Sequence, residues 1–110
     1  MRYPNDASGD VFRRMEEHNF DFSKPHPVEF FAILSTEKEA DIIAKQYLDD
    51  HKKGNILINI ETKPYDQGGM ELILVKEMMV TYENVTSFEN TLQERVSMHE
   101  GYLDGWGVMQ

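Results

Sequence analysis

Apolar residues recur along this chain at two spacings, near 3.6 and near 2, and the switches between them mark out seven elements. Val11, Phe12 and Met15 share one side of Ser8–His18 while Arg13, Arg14, Glu16 and Glu17 take the other, which predicts a short helix. Asp6 or Ser8 is placed to cap it, and Asn19 to end it in a left-handed turn. Phe20 and Phe22 then return apolar surface to the core, and Pro25 and Pro27 impose an extended connection. The near-continuous apolar run Val28–Leu34 predicts a central strand covered on both faces. Thr36 and Glu39 have capping-box spacing before a second helix with Ala40, Ile43, Ala44, Tyr47 and Leu48 at helical intervals, closed by Gly54. Asn55–Thr62 alternates, so Ile56, Ile58 and Ile60 are expected on the buried face of a strand and Leu57, Asn59 and Glu61 on the other. A turn at Pro64–Gly69 leads into a partner strand, Met70–Val80. Thr81 is placed to cap a last helix from Tyr82 to Glu100, with Val85, Phe88, Leu92 and Val96 buried and Gly101 as its stop. Tyr102–Met109 finishes as a strand interrupted by Gly105 and Gly107.

The order is a helix followed by β-α-β-β-α-β, the ferredoxin-like split βαβ arrangement. Two amphipathic helices need one apolar sheet face, so a four-stranded antiparallel sheet with both long helices on one side is expected. The first and third strands would be central. Repeats, low-complexity tracts and flexible linkers are missing, so 1–110 reads as a single domain. Residues 1–27 supply the N-terminal helix and connection, and 28–110 supply the βαββαβ core.

Charge changes the picture next. The 110 residues hold 20 Asp and Glu against 11 Lys and Arg, for a net charge of −9. Such a surface repels phosphate backbones, so direct nucleic-acid binding is disfavoured. From Glu77 onward the acids are Glu77, Glu83, Glu89, Glu94, Glu100 and Asp104, against Arg95 alone. That excess serves solubility, or it forms a docking face steered toward a basic partner. The opening residues lack an apolar run and no stretch approaches a bilayer span, so a cytoplasmic location without membrane contact is expected.

Candidate chemistry is sparse. With no cysteine, thiolate metal sites and a cysteine nucleophile are excluded. Asn5, Asp6, Ser8 and Asp10 resemble half a calcium loop but lack its closing glutamate, so capping is the expected role. His18, His26, His51 and His99 are scattered and match no ligand pattern; His51 and His99 fall near helix ends, where an imidazolium would meet carbonyl dipoles. No catalytic residue, metal site or cofactor is expected. In Glu77-Met78-Met79 the alternation turns one Met outward, where it could add a soft contact. Trp106, the only tryptophan, stands between Gly105 and Gly107, either as a core anchor or as an anchor for a partner.

Two segments, Tyr3-Pro4-Asn5-Asp6-Ala7-Ser8-Gly9-Asp10-Val11 leading into Arg13-Arg14, and Tyr102-Leu103-Asp104-Gly105-Trp106-Gly107, carry a resemblance. In that order and spacing the chain is similar to the regulators of ribonuclease activity of type B, which include the protein inhibitor of ribonuclease E. The second segment resembles that family's closing Tyr-Asp-Gly-Trp-Gly motif with Leu103 inserted, and only three residues follow Gly107 where the characterised inhibitors carry a long acidic tail. The resemblance implies a ferredoxin-like fold with an extra N-terminal helix, and binding to the basic, non-catalytic region of ribonuclease E.

The expected function is therefore that of a non-enzymatic regulatory module, a monomer or weak homodimer, that binds a protein with a basic segment and modulates a ribonuclease. Its expected contact face joins Glu83, Glu89, Glu94 and Glu100 of the last helix to Asp104, Gly105, Trp106 and Gly107 of the last strand. The alternative is a small-ligand or enzymatic ferredoxin-like domain acting as a homodimer. It would need titratable groups to converge, such as His26 with Glu29 or His99 with Asp104.

Overall fold

The computed structural model describes residues 3–109. Seven elements follow one another: α1 (Ala7–Glu17), β1 (Pro25–Leu34), α2 (Glu37–Lys52), β2 (Asn59–Pro64), β3 (Met70–Met79), α3 (Tyr82–Ser97) and β4 (Tyr102–Val108). The strands make one antiparallel sheet in the order β2-β3-β1-β4, so β1 and β3 are central, as the apolar content of their sequences predicts. This is the ferredoxin-like order with a helix in front.

Strand alternation sorts the core. Val28, Phe30, Ala32 and Leu34 of β1 and Leu72 and Leu74 of β3 share one cluster with Phe12 of α1, Ile43 and Tyr47 of α2, and Val85, Leu92 and Val96 of α3. All three helices thus lie on one side of the sheet. The other side carries Glu29, Phe31 and Ile33 of β1 and Glu71, Ile73 and Val75 of β3, and no described helix covers it.

The caps form where the sequence places them. Asp6 accepts from the Gly9 amide at 2.7 Å, Thr36 from Glu39 at 3.3 Å and Thr81 from Asn84 at 3.0 Å. Asn19 takes the expected left-handed turn, with φ of 58°. Among the described residues, no helix is long and apolar enough to cross a membrane.

Three local expectations need correction. β1 starts at Pro25 rather than Val28. Its first residues pair with β3 only, so the missing proline amides fall where β4 makes no ladder. β2 starts at Asn59 rather than Asn55. There the Leu57 amide donates to His51 Nδ1 at 3.0 Å, and Lys76 Nζ donates to the Ile56 carbonyl. Those bonds turn Leu57 inward at 6% exposure and leave Ile56 and Ile58 at 57% and 56%, the reverse of the expected face. The ring of His51 is thus an acceptor for the chain after α2, where a cation facing carbonyls is expected. Finally, α3 ends at Ser97. Glu100, not Gly101, takes the left-handed turn, with φ of 60°, and the Gly101 amide donates to the Val96 carbonyl at 2.7 Å.

Candidate functional site

Phe12 is fully buried and gathers four rings around it. Their centroids lie 5.1 Å (Tyr3), 5.5 Å (Trp106), 6.2 Å (Phe22) and 6.2 Å (Tyr82) away. Polar bonds fasten the same junction. Trp106 Nε1 donates to Ser8 Oγ at 3.1 Å, and Ser8 Oγ donates to Glu89 Oε1 at 3.2 Å. The Tyr82 hydroxyl donates to Asp6, and Arg13 donates to the Tyr3 carbonyl at 3.1 Å and to Asp10. The two sequence segments separated by most of the chain therefore interlock, and their residues hold α1 onto α3 and β4.

Glu89 and Trp106 thus meet, through Ser8, and both are half-buried rather than presented to solvent. Ser8, Asp6, Phe12 and Tyr82 complete the junction. No local spacing links them, because the bonds cross 81, 98 and 76 positions of sequence.

Burial pushes the Glu89 carboxyl above its ordinary 4.5, the Ser8 bond opposes the rise, and the nearby Asp6 charge adds to it. A carboxyl raised by folding holds its proton more tightly in the folded chain. Its stabilising contribution is complete below the ordinary value and is lost as pH rises through the folded one. Glu89→Gln keeps an acceptor for Ser8 without a charge. It is expected to melt above the unsubstituted protein near pH 7, with the gap closing toward about pH 4, as thermal melts at both values would register.

The other candidate acids are apart from this junction. Glu83 and Glu94 are exposed on α3, Glu100 is exposed in the turn after it, and Asp104 is exposed on β4. Within β4, Trp106 pairs with Phe30 and points to the helix side, so Gly105 and Gly107, paired with Phe31 and Glu29, belong to the uncovered side. Asp104 is the extra residue of a bulge between the Gly105–Phe31 and Leu103–Ala32 pairings, and Gly105 completes it with φ of +142°.

Register lays out the uncovered side in rows from β2 to β4. One row is Lys63, Glu71, Ile33 and Tyr102; the next is Glu61, Ile73, Phe31 and Gly105; the third is Asn59, Val75, Glu29 and Gly107. Ile33, Ile73 and Val75 are buried here, and Phe31 is half-buried. Lys63 lies 3.5 Å from Glu71. The Tyr65 phenol is held above its ordinary value chiefly by the Asp104 charge, then by lost hydration and by Tyr102, Glu71 and Asp66, so these groups share one negative field. Sequence reading missed Phe31, Glu29, Glu61 and Glu71 as surface candidates; the alternation in β1 and β3 is the signal that could have found them.

A groove of about 470 Å³ opens between α2 and α3, over Leu57, Met78 and Phe88. Met79, at 39% exposure, is the outward methionine at its edge. Tyr47 beneath it is buried, with no hydrogen-bond partner for its hydroxyl among the described residues; burial drives that phenol up to about 12, opposed by the Arg95 guanidinium 4.4 Å over its ring. This is the place a small ligand would occupy. The proposed histidine pairs do not form there or elsewhere. His26 and Glu29 lie on opposite faces of β1, and His26 instead packs on Phe20 and meets the Asp21 carbonyl at 2.8 Å. Among the described residues, no histidine lies within ion-pair distance of a carboxylate, and no group of three His, Asp or Glu is placed to hold a metal ion.

A search of curated proteins and a search of solved structures each found no match. The family described as "Regulator of ribonuclease activity B" does match, over residues 5–108. That range takes in both the N-terminal segment that α1 carries and the tryptophan strand onto which it docks. With nearly the whole chain matched, this protein belongs to the regulator of ribonuclease activity B family.

Proposed function

We propose that this protein regulates a ribonuclease by binding rather than by chemistry, through a cationic segment of that enzyme or of a scaffold that carries it. Ribonuclease E is the enzyme the resemblance names, with inhibition as the effect on RNA processing and decay. The observation that carries this reading is the family match across residues 5–108. The net charge of −9 supports it, because an acidic surface steers a basic partner and repels RNA.

Glu83, Glu94 and Glu100, exposed on the helix side, would steer the partner, while Asp104, Gly105 and Gly107 of β4 would seat it. Glu89 and Trp106 serve the contact indirectly, by holding α1 in place. Charges at a rim act mainly on the encounter rate. Glu83→Lys combined with Glu94→Lys is therefore expected to slow association with a basic ribonuclease segment by roughly threefold to tenfold, with little change in dissociation. Raising the salt toward 1 M, where the screening length is only about 3 Å, should largely remove the difference. Stopped-flow binding at low and high salt reads both. An association rate indifferent to both changes refutes the charged-surface reading.

A further inference from the structure

The chain has seven glycines, and six are explained by a left-handed backbone or by a contact that a Cβ would breach. Gly107 has neither reason. Its φ is outside the positive range, and a Cβ there meets no atom of the described residues within 4 Å. Glycine inside a strand costs about 0.5–1 kcal/mol relative to alanine, so the fold gives up stability here and gains no packing in return. A missing side chain on an open strand is what the close approach of another backbone requires.

Gly107 lies beside Glu29, and one row along Gly105 lies beside Phe31. The β4 margin of the uncovered face is therefore a bare ledge, with a half-buried ring and a carboxylate standing next to it. Glu61, Glu71 and Glu77 share this face, Asp104 borders it, and Lys63, beside Glu71, is the cation among them.

We infer that this ledge is the docking site for an extended cationic segment of the partner, whose backbone lies over Gly105 and Gly107 while its basic side chains reach Glu29 and Asp104. The inference rests on the reading under Proposed function and fixes where that contact is made. Charge selects the occupant. Phosphates would face carboxylates, and a second copy of this chain would set acidic rims against each other, whereas guanidinium and ammonium groups meet both carboxylates and the Phe31 ring favourably.

The test uses the full chain and a labelled arginine-rich segment of ribonuclease E as the probe. Gly107→Val adds a strand-forming side chain in open space, so its melting temperature should equal or exceed that of the unsubstituted protein. Its dissociation from the probe should be at least about tenfold faster. Glu29→Gln, which adds no bulk, should weaken binding several-fold and serves if the valine variant folds poorly. Unchanged binding by both variants overturns the ledge. If binding persists in both but the Glu83 and Glu94 reversals accelerate dissociation, the contact is on α3, and the protein-binding reading stands without the ledge. If the unsubstituted chain ignores the probe at low salt, both fail. Binding of duplex RNA that Gly107→Val abolishes, or self-association that it abolishes, also overturns the proposed occupant.

Discussion

Phe12→Ala is expected to destabilise the protein by about 4 kcal/mol, the largest single loss among its aromatic residues. Phe12 is fully buried, and its ring is the one shared contact of Tyr3, Phe22, Tyr82 and Trp106. Removing it opens a cavity that four large rings cannot close without giving up their own contacts, so relaxation recovers little. A domain of this size has about 5–15 kcal/mol in hand. The variant should therefore still fold, with a urea midpoint far below that of the unsubstituted protein. Trp106 is the only tryptophan, so its emission reports on the seat of α1 alone. In the variant that emission should shift to the red before the far-ultraviolet circular dichroism falls. Coincident transitions with an unchanged midpoint would show that α1 is not held by this ring.

Gly101→Ala is expected to cost about 2–3 kcal/mol, from overpacking rather than from a cavity. A Cβ there would lie 2.5 Å from Leu34 Cδ1, 2.8 Å from the Ile33 carbonyl oxygen and 3.0 Å from Val96 Cβ. The leucine methyl can rotate away. The carbonyl cannot, because Ile33 lies in central β1 and pairs with Tyr102, next to the glycine. The turn must then open, which strains the bond from the Gly101 amide to Val96 and loosens β4 at its first residue. Chemical denaturation of this variant beside Gly107→Val makes the contrast: two glycines close in sequence, one intolerant of a methyl group and one indifferent to a larger side chain. Equal stability of the two would refute the packing account.

Much of the fold was legible because its determinants are local. Thr36 and Thr81 announce their helices by residue type, and the apolar runs of β1 and β3 mark central strands before any pairing is known. The failures also have local causes, acting over slightly longer range. Ile56 and Ile58 read as inward because alternation assumes a continuing strand, whereas the His51 ring captures the Leu57 amide and ends the assumption. Gly101 read as the left-handed stop, yet Glu100 takes that turn and the glycine is needed for clearance.

The candidate surface was legible only in part. Its acids are plain in the sequence, but which side of the sheet each occupies is not. Gly-Trp-Gly is one string of letters and two opposite faces, sorted only when Phe30 is known to lie inward and opposite Trp106. In sequence Glu89 is one more surface acid, and only the bond from Ser8, 81 positions away, sets it apart.

The bond between Trp106 and Ser8 spans 98 positions, which has a bearing on biosynthesis. Helix α1 therefore emerges from the ribosome well before the strand that receives it. At roughly 5–20 residues per second, the interval is about 5–20 s, during which Phe12 and Ser8 lack their Trp106 partner. β1 waits as well, since both of its ladder neighbours follow it in the sequence. The nascent chain must therefore carry α1 and β1 without these partners until β4 has been made.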